Sequence, residues 1–257
     1  MNLFVLAIGA IVGSFLNVCI YRLPRGESII SPPSRCPNCE ARIRWHDNIP
    51  VISYMALKGR CRACGEKISA RYVLVELVTA LLFLALFIAF GPSAKFAAYA
   101  ALGGSLIIAT FVDFEIQEIP DEVSIFGLVV GLGFALAFPS LFGEAARFRA
   151  FWASLLGALV GGASIYIIGY LGELVFKKEA MGGGDVKLLA MIGSFLGWKL
   201  VILTFFVAPV FGSIVGVIFK IRDGRQTIPY GPYLSLAALI SIFWGERILK
   251  LLFYGMY

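Results

Sequence analysis

The chain has 257 residues, of which 60% are hydrophobic and only 15% charged, and its mean hydropathy is +0.88. This composition excludes an ordinary soluble domain and points to an all-α polytopic membrane protein. The net charge of +6 is uneven, with ten of the 22 Lys and Arg falling in residues 22–72.

Eight apolar runs are candidate spans, at roughly 2–20, 73–91, 96–113, 122–142, 151–176, 183–197, 200–219 and 230–245. No basic n-region precedes the first run and no small-residue cleavage pattern follows it, so it reads as a retained span and not a signal peptide. Cys19, inside that run, reads as a small buried hydrophobe. The basic segment 22–72 comes next, and the positive-inside rule places it in the cytoplasm with the N-terminus outside. Alternating through eight spans puts 16 Lys and Arg inside, among them Lys177, Lys178, Lys187, Lys220, Arg222 and Arg225, and six outside.

Within the basic segment, Cys36-Pro37-Asn38-Cys39 and Cys61-Arg62-Ala63-Cys64 are separated by 21 residues. Two such knuckles offer four thiolates to one ion, the ligand set of a structural Zn²⁺. The segment has few large apolar side chains, and metal binding would supply its folding energy. A reducing cytoplasm disfavours disulfides, so the alternatives are redox pairs or unpaired thiols. Four thiolates leave no open position on the metal. His46 is the single histidine and reads as a surface residue, which leaves a Ser-His or Cys-His mechanism almost nothing to work with.

Nearly all of the 16 carboxylates lie in polar loops, but two sit where apolar runs meet their flanks. Asp113 closes the run Leu106 to Val112, and Asp185 opens another after Gly182-Gly183-Gly184. A carboxylate there is costly unless it is paired or faces water, so the default reading is functional. On the topology above, both lie near the cytoplasmic face. Two carboxylates in one site cannot both ionise cheaply. The ionised one can deprotonate a water while the protonated one polarises a peptide carbonyl, which is enough to hydrolyse an amide. The plain reading of the glycine run is a turn before an N-terminal Asp that complements a helix dipole. Its functional reading is a place where a substrate strand can approach closely. Asp121, after Pro120, reads either as a cap of the fourth span or as a direct participant. Span 183–197 is short for a bilayer that needs about 20 residues, which fits a broken or tilted helix opening a cavity.

Taken in order, these features resemble the bacterial type IV prepilin peptidases, the bifunctional leader peptidase/N-methyltransferases, over essentially the full chain. The opening Gly13-Ser14-Phe15-Leu16-Asn17 through Gly26-Glu27 is similar to the family's N-terminal signature. The paired knuckles, Asp47-Asn48-Ile49-Pro50 between them and Arg71-Tyr72 ahead of Glu76 follow. The Gly-x-Gly-Asp motif matches Gly182 to Asp185, and the other catalytic aspartate, eight residues before the Asp of Ile119-Pro120-Asp121, matches Asp113. Ile228-Pro229-Tyr230-Gly231-Pro232 resembles the family's Pro-Phe-Gly-Pro segment, with Tyr for Phe.

The resemblance implies an aspartyl endopeptidase of the bacterial inner membrane, with Asp113 and Asp185 catalytic and Gly182, Gly183 and Gly184 supporting their loop. It implies cleavage of type IV prepilins or type II secretion pseudopilins after a glycine at the cytoplasmic face. Methylation of the new N-terminus from S-adenosyl-L-methionine would follow. The expected division is a first span at 1–21, a zinc-binding and candidate methyltransferase segment at 22–72, and a seven-span protease domain at 73–257. Glu27 and Asp47 are the candidates for holding the cofactor's charged groups, against a reading as solvated loop carboxylates. The loop after Asp113 carries Glu115, Glu118, Asp121 and Glu122 and no basic residue, a charge suited to a substrate's basic leader. Expected partners are these substrates and membrane lipid, with no nucleic acid, and a homodimer is an open assembly. An ion-coupled transporter using the same aspartates and a non-catalytic scaffold for pilus assembly are the rival readings.

Overall fold

The computed structural model describes residues 1–177, 182–223 and 228–254, so the placements expected for Lys178 and Arg225 lie outside the described residues. Among the described residues the chain forms eight α-helices: α1 (Asn2–Arg22), α2 (Ile52–Ala56), α3 (Arg71–Phe90), α4 (Ala94–Ile116), α5 (Asp121–Ala137), α6 (Arg147–Phe176), α7 (Gly183–Asp223) and α8 (Gly231–Tyr254). The described residues contain no strand, only the isolated bridges Arg35 to Arg42 and Arg60 to Lys67.

Every apolar run expected to span coincides with a helix, but five helices are long and apolar enough to cross a membrane. These are α1, α3, α4, α6 and α7. The difference from eight has three sources. The runs 183–197 and 200–219 are two limbs of α7, joined across Gly197. Helix α5 has only 17 residues, and α8 is diluted by Pro232, Ser235, Ser241, Glu246 and Arg247. The protein is thus an all-α, multi-pass membrane protein with its four-cysteine segment between the first two spans.

The chain divides into two compact units, Met1–Phe96 and Ala97–Tyr257. In the first, α1 and α3 meet backbone to backbone. A Cβ on Gly9 would lie 2.7 Å from Ala80 Cα, and one on Gly13 would lie 2.7 Å from Glu76 Cα. Small residues four apart permit this approach, which replaces the hydrophobic driving force that lipid removes. One turn later Asn17 Nδ2 donates to the Tyr72 carbonyl at 2.9 Å. Arg22 ends α1 with its guanidinium donating to the carbonyls of Ser28 at 2.8 Å and Pro32 at 2.7 Å.

In the second unit the first limb of α7 is the central element, with Leu188, Leu189, Met191 and Ile192 fully buried. Helix α6 lies against it through glycines: a Cβ on Gly193 would fall 2.1 Å from the Gly157 carbonyl oxygen, and one on Gly161 would fall 2.4 Å from that of Leu189. Ser154 Oγ donates to the Ser194 carbonyl at 2.6 Å across the same seam. The limb stops at Gly197, where φ is 75°, a conformation glycine adopts without steric cost. At 1.5 Å per residue that limb is only about 21 Å long. Thr204 Oγ1 donates to Ser241 Oγ at 2.9 Å, and Ser235 Oγ donates to the Leu106 carbonyl at 3.4 Å. These bonds tie α8 to α7 and α4, and so place three helix ends around one point.

Candidate active site and metal-binding segment

That point is built around Asp113, in the last turns of α4. The residue is buried, and its Oδ2 accepts the backbone N–H of Gly231 at 2.8 Å. Gly231 is the first residue of α8, so the carboxylate sits at the positive end of a helix dipole. Helix α4 then ends through Gln117, at φ 55°, whose N–H donates to the Asp113 carbonyl at 3.0 Å. The turn swings buried Ile119 back over the site. A Cβ on Gly184 would lie 3.2 Å from Ile119 Cβ, and one on Gly231 would lie 3.3 Å from Ile119 Cδ1. Ile119 therefore packs against the starts of both α7 and α8. Asp185 occupies the first turn of α7, half-buried, with its N–H donating to the Gly182 carbonyl at 3.1 Å. Asp113 is bonded to the start of α8 and Asp185 follows Gly184 at the start of α7, and Ile119 packs against both starts.

The three glycines differ in role. Gly182 would bring a Cβ 3.6 Å from Asp185 Oδ2, Gly183 would meet nothing within 4 Å, and Gly184 is closed off by Ile119. Ile119 and Gly231 stood in the sequence only as members of matched motifs, with no role at the site given to them. Their signal was present in the Ile-Pro-Asp triplet and in a glycine placed one residue before Pro232, at a helix start.

Around the rim, Glu115 and Glu118 are exposed. Asp121 is the first residue of α5 and makes no side-chain cap. Its carboxylate instead accepts two hydrogen bonds from Lys187 Nζ, at 2.6 and 2.7 Å. Both partners are about half exposed, so the bond adds little stability but partly neutralises the acidic loop.

In the other unit the two cysteine knuckles repeat each other. Cys36 N–H donates to the Ala41 carbonyl and Cys61 N–H to that of Glu66. The residue after each second cysteine turns through positive φ, 57° at Glu40 and 74° at Gly65. All four sulfurs lie within 4.8 Å of one another. Backbone N–H groups of Cys64 and Ala63 bring the Cys61 thiol down to about 7. Cys39, despite the N–H of Ala41, is pushed up to about 12, chiefly by the neighbouring sulfur of Cys64. Thiolates this close repel, and a cation between them removes the conflict. The four cysteines are thus placed to hold a metal ion.

The segment is held to its span by buried Glu76, whose Oε2 accepts the Val51 N–H at 2.8 Å. Asp47 and Arg62 face each other in a forked pair, with contacts of 2.6, 2.9 and 3.1 Å. The Arg62 guanidinium holds the Asp47 carboxyl below its ordinary value. Glu27 is exposed, and no hydrogen bond or ion pair joins it to Asp47 among the described residues. His46 is exposed beside Trp45.

A family model described as the bacterial peptidase A24 N-terminal domain matches residues 7–90. Another, described as the type IV leader peptidase family, matches residues 100–217. A prepilin leader peptidase/N-methyltransferase of Myxococcus xanthus is 40% identical over 222 residues, covering 86% of this chain but only 64% of the relative. A protein of the same name from Pseudomonas putida is 36% identical over 270 residues, covering 94% and 90%. A type 4 prepilin-like proteins leader peptide-processing enzyme of Escherichia coli is 38% identical over 255 residues, covering 91% of each. No solved structure matches the chain.

Proposed function

The chain belongs to the type IV leader peptidase family, and from that footing we propose that it is a membrane aspartyl endopeptidase and N-methyltransferase acting on prepilins or pseudopilins. Asp113 and Asp185 are its catalytic pair. The observation that carries this is the convergence of three helix ends: Asp113 at the end of α4, Asp185 at the start of α7 and Gly231 at the start of α8, joined through Ile119.

Two interacting carboxylates that share one proton suit amide hydrolysis. The ionised member takes a proton from water as its oxygen attacks the scissile carbonyl carbon. The protonated member gives its proton toward the carbonyl oxygen, and the C–N bond breaks as the amine is protonated. The pair titrates as a unit, so neither Asp is given a fixed part. Gly183, open on its outer side, is where the backbone of an extended substrate has room to approach.

The second step places a neutral N-terminal amine against the methyl donor, which is a positioning task more than an acid/base one. S-adenosyl-L-methionine supplies the methyl group when bound. Residues 22–72 are the region proposed for it. Because Asp47 is engaged with Arg62, exposed Glu27 is the better placed carboxylate for a charged group of the donor. The ion held by Cys36, Cys39, Cys61 and Cys64 is proposed to be Zn²⁺ in a structural role, since four thiolates fill its coordination. The bacterial inner membrane is the proposed location, with Asp113 and Asp185 near the cytoplasmic face. The relatives above are named as processing enzymes, which lends nothing to a transporter.

The test is cleavage of a prepilin with a glycine-ended leader in liposomes, with the new N-terminus read by mass spectrometry. Wild type is expected to cut after the glycine and to add one methyl group when the donor is present. Asp113→Asn and Asp185→Asn are each expected to lose cleavage by at least ~10³-fold. Retained cleavage in either variant removes the proposed pair.

A further inference from the structure

Among the described residues, Arg22 is a buried cation with no anion beside it. The residue is 8% exposed, its guanidinium donates only to the carbonyls of Ser28 and Pro32, and no ion pair among the described residues includes it. A charge kept this far from water ordinarily has a partner of opposite sign. It lines a groove of about 320 Å³. One wall is a stripe of α1, with Ile11, Phe15, Val18 and Arg22 at helical spacing on one face. The other wall includes Ile30 and Pro32. No carboxylate lines the groove.

The groove therefore has one cationic end and one apolar end. Its apolar stripe belongs to a membrane span, running from Ile11 and Phe15, both exposed, toward the span's C-terminal end at Arg22. A ligand that fits carries a negative group where the span meets water and a hydrocarbon body along the span. S-adenosyl-L-methionine could set its carboxylate on Arg22, but its ammonium, sulfonium and ribose would then face the apolar stripe of Ile11, Phe15 and Val18.

A second observation points the same way. Each knuckle stacks like charges across its isolated bridge, Arg35 opposite Arg42 and Arg60 opposite Lys67, with all four side chains exposed. Like charges directly opposite are destabilising, and among the described residues only Arg35 of the four meets a carboxylate, Glu40 at 3.9 Å. An anionic surface beside them removes that cost.

We propose that the groove between α1 and residues 29–34 binds one anionic phospholipid, its phosphate on Arg22 and an acyl chain along Ile11, Phe15 and Val18. The site is part of the first unit alone and is independent of the proteolytic reading.

The experiment uses the full chain in nanodiscs of mixed phosphatidylglycerol and phosphatidylcholine, with retained lipid read by native mass spectrometry. Both lipids carry the phosphate, but phosphatidylcholine brings a quaternary ammonium beside Arg22, so wild type is expected to keep one phosphatidylglycerol with about tenfold preference over phosphatidylcholine. Arg22→Gln and Ile30→Glu are expected to abolish that preference. Ile30 is 89% exposed, so Ile30→Glu adds a repelling carboxylate without touching the Arg22 hydrogen bonds and decides the matter if Arg22→Gln does not fold. Equal retention of the two lipids by wild type, or an unchanged preference in Ile30→Glu, overturns the proposal. So does displacement by excess inorganic phosphate, which would assign the site to a free anion, or displacement by S-adenosyl-L-methionine.

Discussion

The backbone N–H of Gly231 holds Asp113 Oδ2 at 2.8 Å, which fastens the start of α8 to the end of α4. A Cβ at Gly231 would sit 2.9 Å from that same oxygen, closer than real contacts allow. Gly231→Ala is therefore expected to displace the carboxylate and lower kcat by about 10- to 100-fold. Asp113→Asn keeps an oxygen for the Gly231 N–H, so it should lose cleavage while keeping its unfolding midpoint. Kinetics and thermal melts on both variants separate positioning from chemistry, and an undiminished kcat in Gly231→Ala would show that this bond positions nothing.

The glycines ahead of Asp185 should not be equivalent. Gly184→Ala presses a Cβ to 3.2 Å from Ile119 Cβ, and small-to-large changes in packed sites typically cost about 1–3 kcal/mol. Gly183→Ala meets nothing within 4 Å and should leave stability unchanged. If Gly183→Ala nonetheless raises KM at constant melting temperature, the substrate backbone passes there. Equal destabilisation by the two would contradict the packing described for Ile119.

Lys187 partly neutralises Asp121, and Glu115 and Glu118 add negative charge to the same loop, which is expected to attract a basic leader. Charge reversal at both should raise the apparent KM at low salt, and the difference should fade as ionic strength rises. Lys187→Gln frees the Asp121 carboxylate and should lower KM, with stability changed by less than about 1 kcal/mol. An unmoved KM in the reversal variant ends the idea that this loop steers substrate.

The two knuckles share one backbone path but not one residue at its left-handed position. Glu40 stands at φ 57° where the other knuckle has Gly65, and a side chain in that region costs roughly 1 kcal/mol. Glu40→Gly should hold the metal more tightly against a chelator, and Gly65→Ala more loosely. Cys36→Ser and Cys61→Ser should each lose the ion, measured as metal per chain by elemental analysis. Full metal retention in either cysteine variant would mean that the four sulfurs do not share one ion.

Much of this arrangement was legible without coordinates, and for local reasons. Apolar run length marks a membrane helix by itself, so each expected span has a helix beneath it. A carboxylate at the edge of such a run is costly enough to stand out, which singled out Asp113 and Asp185. Paired Cys-x-x-Cys spacing limits four sulfurs to one neighbourhood, as their approach within 4.8 Å bears out.

What the tertiary structure alone decided is who meets whom. Lys187 reaches Asp121 across 66 residues and Gly231 reaches Asp113 across 118, and no local pattern encodes such a distance. The reading of Asp121 as a cap gave way to Lys187 for that reason. Gly197, at φ 75°, separates α7 into the two limbs expected as runs 183–197 and 200–219, and Gly157 and Gly161 of α6 pack against both limbs. Composition and spacing therefore determined a membrane helix bundle with two misplaced acids and a four-thiol cluster. Packing between distant segments, glycine against backbone and Ile119 against two helix starts, decided that the helix ends carrying those acids come together.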